Sequence, residues 1–385
     1  MKRTIVHADL DAFFVSCERL RDSRLNNIPL IIGGQSGRGV VSSCSYEARY
    51  FGVHAAMPMR YALKLCPQAK VISGDMGFYS DKSNEVTQII NDQAPIVEKA
   101  SIDEFYLDIT GMDRFFGSYK WTNELVDTVT KEAGLELSFG MSANKTISKI
   151  ATGEFKPKGR AYIQNKMIKD FLNPLSIKKI PMIGTETYRE LSRIGIRIIQ
   201  QLSDTPPEFL HQILGKNGAT IWKKANGIDT TPVVAYNEKK SISNERTFER
   251  DSSDIPKLKA LLIKMIEKTA FDLRNSCQLC SIVTVKIRYA NFDTATKQLK
   301  IPYTASDDKL IPIVKMLFDK LYERRMLIRL VGIRLSGLVR GLEQINLFED
   351  TVDSVNLTQA IDRMKKRFGS SIITRAETMN AYKGK

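Results

Sequence analysis

With residues 11 to 74 set aside, the first part of this chain reads as strand, helix, strand, strand, helix, strand. An apolar run from Thr4 to Leu10 has the length of a buried strand, and helical periodicity covers about 77 to 93. β-like runs follow near 96 to 100 and 104 to 109, then a helical stretch at 114 to 132 and a last β run at 135 to 141. That succession is the split βαβ or ferredoxin-like pattern. In it the third strand lies between the first and second and runs antiparallel to both. The end of the first strand, Asp9, is therefore expected beside the start of the third, S-I-D-E-F-Y-L-D at 101 to 108.

Asp103 and Glu104 are adjacent, yet successive side chains on a strand point to opposite faces. Both can serve one site only if they precede regular alternation, at the turn into the third strand. From Phe105 onward, Phe105 and Leu107 should then share one face, with Tyr106 and Asp108 on the other.

A chain of 385 residues suggests two to four domains. Within the set-aside segment, a helix over 12 to 21 carries Phe13, Cys17 and Leu20 on one stripe. Short β runs at 29 to 33 and 39 to 43, and helical pieces at 45 to 51 and 58 to 65, make a small mixed unit ending near Gly74. From 166 to 230 the pattern is helical, and residues 180 to 196 have the cadence of a hairpin between two helices, where backbone N–H groups can hold phosphate. The polar stretch at 237 to 246 reads as an interdomain linker. A helix at 254 to 274, a β run at 281 to 290, a helix at 309 to 325 and a strand at 328 to 336 suggest a second α+β domain. A tail follows from 342, with an amphipathic segment near 356 to 368.

Net charge is +15, and residues 231 to 345 hold 21 Lys and Arg against 13 Asp and Glu. With no basic amphipathic anchor or lipidation signal, such an excess points to a nucleic acid before a membrane. No apolar run approaches the ~20 residues needed to span a bilayer. Asp9 and Asp11 interrupt what would otherwise resemble a signal peptide, so a cytoplasmic protein is expected. Five scattered cysteines do not form a disulfide framework, and Cys277-Gln-Leu-Cys280 has no second pair with which to bind zinc.

Three carboxylates at strand ends, with only His7 nearby, favour a hard oxygen-liganded cation, and Mg2+ leaves positions open for substrate phosphates. Two such ions suit an in-line phosphoryl transfer. A solvated acidic turn is the plainer reading of Asp103 and Glu104 alone. D-x-D after an apolar strand also opens the haloacid-dehalogenase-type phosphatases, but those place Thr or Val where this chain has Phe13. S-I-D-E-F resembles the G-G-D-E-F hairpin of palm-type diguanylate cyclases, without its glycine pair and in a far longer chain.

The motifs H-A-D-L-D-A-F-F-V-S-C-E at 7 to 18, S-Y-E-A-R-Y-F-G-V at 45 to 53, A-M-P at 56 to 58, S-I-D-E-F-Y-L-D at 101 to 108, G-M-S-A-N-K at 140 to 145 and K-P-K-G at 156 to 159 occur in one order. In these the chain resembles the Y-family of translesion DNA polymerases, most closely its bacterial polymerase IV branch, over residues 1 to about 340. The resemblance implies an α+β, multidomain right hand. Its parts are a ferredoxin-like palm (1–10 and 75–165), small fingers (11–74), a helical thumb (166–230), a linker (231–240), an α+β little finger (241–341) and a tail (342–385). It implies low-fidelity, template-directed addition of deoxynucleoside triphosphates to a primer on template DNA, by a monomer that bypasses damaged bases. A catalytically inactive DNA-binding relative is the non-enzyme alternative.

By the same resemblance, Asp9, Asp103, Glu104 and the Leu10 carbonyl hold two Mg2+ ions. Tyr46, Arg49 and Lys156 contact the triphosphate, and Arg suits this because its planar fork binds phosphate oxygens in pairs. Phe13, Phe14, Val40, Ser42 and Ser43 complete the expected nucleotide site. Phe14 is the steric gate against a ribose 2′-hydroxyl, Phe13 beside it belongs to the core, and Val40 and Ser42 roof the nascent base pair. Asp11, where the chain leaves the strand, is left out of the metal set. Gln344, Leu347 and Phe348, in Gln344-Ile-Asn-Leu-Phe348, resemble the peptide by which bacterial polymerases bind the sliding clamp. Two positions depart from the family pattern: P-M-I-G at 181 to 184, where relatives often have P-G-I-G, and Phe105, where Ala is common.

Overall fold

The computed structural model describes residues 3–112, 117–235, 238–341, 351–369 and 372–382. The chain divides into two compact units, 1–237 and 238–385, so the division falls inside the expected linker at 231 to 240.

In the first unit β1 (Ile5–Leu10) leads through Asp11 and Ala12 into α1 (Phe13–Arg21), with Ala12 in the left-handed region at φ 43°. A three-stranded sheet in the order β3-β2-β4 follows, made of β2 (Leu30–Gly33), β3 (Val41–Cys44) and β4 (Lys70–Ile72), with α2 (Tyr46–Tyr50) and α3 (Met59–Leu65). Then come α4 (Met76–Gln93), β5 (Ile96–Lys99), β6 (Glu104–Asp108), α5 (Ser118–Ala133), β7 (Leu137–Ser142), α6 (Lys145–Phe155) and β8 (Arg160–Tyr162). The main sheet has the order β5-β6-β1-β7-β8. β6 lies between β1 and β5 and is antiparallel to both, as the split βαβ pattern requires. The short strands β4 and β8 had no signal in the sequence, since three residues are too few to show a period.

Alternation on β1 sends Val6, Ala8 and Leu10 into the core with Phe105 and Leu107 of β6. α1, α4 and α5 cover that face with Phe13, Tyr79, Val86, Ile90, Leu125 and Val129. Leu20, expected on the buried stripe of α1, is 45% exposed, and Glu18 is buried instead, accepting a hydrogen bond from the Tyr79 hydroxyl at 2.7 Å. α6 covers the other face. It can lie flat on β7 because Gly140 has no side chain: a Cβ there would stand 2.3 Å from the Ser148 carbonyl oxygen and 2.6 Å from the Thr152 nitrogen.

The helical stretch resolves into α7 (Ile168–Leu172), α8 (Thr185–Arg193), α9 (Ile199–Asp204), α10 (Pro207–Leu214) and α11 (Lys216–Ala225) around their own apolar core. Met182 adopts φ 88°, a conformation that favours glycine, and stands 53% exposed. The methionine at this departure from the family pattern thus occupies a backbone that a glycine would hold without steric cost.

In the second unit β9 (Ser241–Ser252), β10 (Gln278–Tyr289), β11 (Thr294–Thr304) and β12 (Ile328–Ser336) present one face to α12 (Ile255–Asn275) and α13 (Asp307–Leu321). The sheet has the order β11-β10-β12-β9, with β13 (Val339–Arg340) pairing β10. The polar stretch expected as a linker to 246 is, from Ser241, an edge strand. Only one face of such a strand meets the core, here through Ile242 and Phe248, so its apolar signal is thin. α14 (Thr351–Phe368) is held by Arg274, whose guanidinium donates to both oxygens of Asp362 at 2.7 and 2.9 Å. All five cysteines are free thiols. Among the described residues no helix is long and apolar enough to cross a membrane.

Candidate active site

Asp9 of β1 and Glu104 of β6 are direct partners in the ladder, so both side chains leave the sheet on the α6 face, with His7 and Tyr106 behind them. Asp103 lies in the bend just before β6. Its carbonyl oxygen accepts from the Leu10 amide at 3.0 Å, while its carboxylate accepts from the Ser101 hydroxyl at 2.6 Å. The Ser101 oxygen in turn accepts from the Asp103 and Glu104 amides at 3.3 and 3.1 Å, a hydroxyl-built turn that sets the adjacent acids before alternation starts. Two segments far apart in sequence thereby bring Asp9, Asp103 and Glu104 to adjoining backbone positions.

Lysines from α6 and the loop after it lie across the strands. Lys145 pairs with Glu98 of β5 at 2.6 Å, Lys149 with both oxygens of Glu104 at 2.7 Å, and Lys156 with Asp9 of β1. The Lys156 ammonium also donates to the Leu10 carbonyl at 3.3 Å. The Asp9 carboxyl is pushed up to about 6, because burial, helped by Asp103 and Glu104, outweighs the pull of Lys156. Among the described residues no three acidic, His or Cys side chains stand close enough together to hold a metal. The donor set nevertheless suits a hard cation. It is all oxygen, Asp9 ionises reluctantly without a positive neighbour, and the chain's own ammonium already sits on the Asp9 carboxylate and the Leu10 carbonyl.

His7 is 1% exposed, its Nδ1 is 2.9 Å from the Thr152 hydroxyl, and its Nε2 has no hydrogen-bond partner and lies 4.0 Å from Glu104. Burial, with Lys149, Lys156 and Lys145 nearby, holds its pKa well below the usual range and the ring neutral.

Tyr46 and Arg49 share a face of α2, with the Arg49 guanidinium 4.5 Å from the Tyr46 ring centre. Arg49 is fixed by donating to the Cys44 carbonyl at 3.2 Å, and Ser45 caps the helix through the Ala48 amide. A register shift in the β2–β3 pair leaves Ser42 as the extra residue, so Val41 and Cys44 are both buried while Val40 and Ser42 are exposed and Ser43 is half-buried. The Phe14 ring is half-buried and stacks on Tyr79 at 4.5 Å and 14°. Phe13, expected among the nucleotide contacts as well as in the core, has its ring sealed in the core at 2% exposure. Adjacent helical residues diverge by about 100°, so Phe13 packs inward and supports Phe14 rather than meeting a ligand through its ring.

Asp11 is 4% exposed and fully engaged. It accepts from the Tyr46 hydroxyl at 3.2 Å, the Ser138 hydroxyl at 2.8 Å and the Lys158 amide at 2.7 Å. It ties α2, β7 and the K-P-K-G loop together, a role the D-x-D spacing did not disclose. Tyr79 and Lys149 likewise carried no signal in the sequence. Gln344, Leu347 and Phe348 lie outside the described residues.

The chain matches the impB/mucB/samB family over residues 8–153 and that family's C-terminal domain over 239–347. It is 34% identical over 380 residues to the DNA polymerase IV of Dehalococcoides mccartyi (strain CBDB1), covering 98% of this chain and 97% of the relative. To the DNA polymerase IV of Clostridium kluyveri it is 35% identical, with 97% of each covered. Among solved structures, a Y-family DNA polymerase chimera of Dbh and Dpo4 aligns with a TM-score of 0.80 at 26% identity, over 88% of this chain and all of that one. An insertion ternary complex of Dbh DNA polymerase aligns at 0.63 with the same identity and coverage.

Proposed function

Because this chain belongs to the impB/mucB/samB family of Y-family DNA polymerases and is a DNA-directed DNA polymerase of the translesion type, we propose that Asp9, Asp103 and Glu104 carry its chemistry. Its substrates are primer-template DNA and deoxynucleoside triphosphates, and its reaction, like that of its family, depends on metal. The observation that carries the assignment is the ladder pairing of Asp9 with Glu104, with Asp103 in the bend that leads into the same strand.

We assign the cation positions to Mg2+, two per site, held by these three carboxylates and the Leu10 carbonyl. Bound there, the ions supply activation of the primer 3′-hydroxyl and charge neutralisation at the departing pyrophosphate. The chain's own groups do the rest. Arg49 presents a guanidinium with no carboxylate partner among the described residues, oriented by the Tyr46 ring, to phosphate oxygens. Lys156, next to Asp9, exchanges its carboxylate for the triphosphate. Val40 and the small Ser42 leave room above a distorted base pair, which suits bypass of damaged template. In primer extension with Mg2+ and the four deoxynucleotides, a template-dependent product ladder is expected. Hydrolysis of phosphate esters without extension would replace this reading by the phosphatase one.

Phe14 is the proposed gate against the 2′-hydroxyl, held in place by the Tyr79 ring beneath it. Phe14→Ala should raise ribonucleotide insertion about 10- to 100-fold relative to deoxynucleotide insertion. Unchanged discrimination in single-nucleotide kinetics would take Phe14 out of that role. Gln344, Leu347 and Phe348 are the proposed clamp contacts of a monomeric enzyme. Replacing Leu347 and Phe348 by alanine should remove stimulation by a sliding clamp and leave basal extension intact. Loss of basal extension as well would mean that the substitution disturbs folding.

A further inference from the structure

The three lysines laid across β5, β6 and β1 have different standing. Lys145 holds Glu98, away from the carboxylate trio, and Lys156 belongs to the proposed triphosphate contacts. Lys149 does neither, yet it holds both oxygens of Glu104, each at 2.7 Å. We propose that Lys149 is a positioning residue that keeps Glu104 drawn out of the cation site, so that a divalent ion must displace its ammonium and Lys149 sets the concentration at which the site fills.

Glu104 stands opposite Asp9 in the ladder, so its backbone already places it to share a cation with Asp9. Its carboxylate instead leans over the neighbouring rung, between the Lys149 ammonium and the unpartnered Nε2 of His7 at 4.0 Å. Both oxygens of that carboxylate already face one ammonium, so a cation shared with Asp9 has to compete with Lys149 for them. The backbone is set for cation binding and the side chain is held off it. Lys149 rides on α6, which Gly140 lets sit flat on the sheet, so the ammonium cannot retreat with its helix. Displacement must come through side-chain rotation, which the 36% exposure of Lys149 and 25% exposure of Glu104 permit.

This inference rests on reading Asp9, Asp103 and Glu104 as the cation site, and the test separates the two. Mn2+ is titrated into the full chain bound to primer-template DNA, with free Mn2+ followed by electron paramagnetic resonance. Wild type is compared with Lys149→Met, Lys149→Arg, Lys145→Met and Asp103→Ala. Lys149→Met keeps the alkyl stem, and Lys149→Gln serves if the Met protein melts early. The Met or Gln protein should bind Mn2+ about threefold to fivefold more tightly than wild type, the span of one partly exposed ion pair. Lys149→Arg should restore wild-type affinity, and Lys145→Met should leave it unchanged. Unchanged or weaker binding in Lys149→Met, or equal tightening in Lys145→Met, would overturn the role of Lys149 while leaving the cation site standing. Equal binding by wild type and Asp103→Ala would overturn the cation site itself.

Discussion

Primer extension by the Asp103→Ala protein should fall about a thousandfold or more in kcat, equivalent to roughly 4 kcal/mol of lost transition-state stabilisation. The size follows from what the side chain does and does not do. Asp103 lies in a partly exposed bend, and its carboxylate accepts from Ser101 alone among the hydrogen bonds described. Removing it breaks no buried network, so stability should change by no more than about 0.5 kcal/mol. What is lost is one of the three carboxylates proposed to hold positive charge at the reacting phosphate. Single-turnover kinetics at saturating nucleotide, together with an unchanged melting temperature, would separate chemistry from misfolding. Equal activity in the two proteins would remove Asp103 from the site.

Asp11→Ala should act in the opposite way, by loosening the fold. Its carboxylate is almost fully buried, and its removal leaves the Tyr46 hydroxyl, the Ser138 hydroxyl and the Lys158 amide without their acceptor. Buried donors stranded in this way cost about 3 to 5 kcal/mol. Both tryptophans, Trp121 and Trp222, belong to residues 1–237, so their fluorescence follows that unit alone. The expected result is a clearly lower urea midpoint for that transition, with Asp11→Asn between the two because an amide oxygen can still accept. A loss below about 1 kcal/mol would show that the Asp11 bonds are replaced by water. Extension should also weaken, since the same carboxylate fixes Tyr46 under Arg49 and stands 3.6 Å from Lys156.

Apart from β8, the main sheet was legible because its strands are buried or alternate cleanly, and because helices of sixteen to eighteen residues lie between them in the chain. The adjacency of Asp103 and Glu104, which contradicts a regular strand, marked where β6 begins. Strands that show one face to solvent were harder: β9 passed for a linker because its outward residues are polar. The candidate site was legible where a residue's chemistry is unusual for its place, as with carboxylates at the ends of apolar runs. It was illegible where the chemistry is ordinary. A buried Tyr79 under Phe14 and a lysine on a helix have no distinguishing pattern until the elements pack.

Local sequence therefore determined the longer helices other than α6, the strands β1, β5, β6, β7, β10 and β12, and which acids, aromatics and basic groups could meet a charged substrate. Period and composition act over neighbouring residues, and neighbouring residues are all they can report. Strand order already put Asp9 beside Asp103 and Glu104, but tertiary structure alone decided the other pairings across long separations: Lys156 with Asp9, Lys149 with Glu104, and Asp11 with Tyr46 and Ser138. The lysine pairings depend on ladder register and on α6 lying flat over Gly140. Such contacts form only when a whole sheet and its covering helix pack at once.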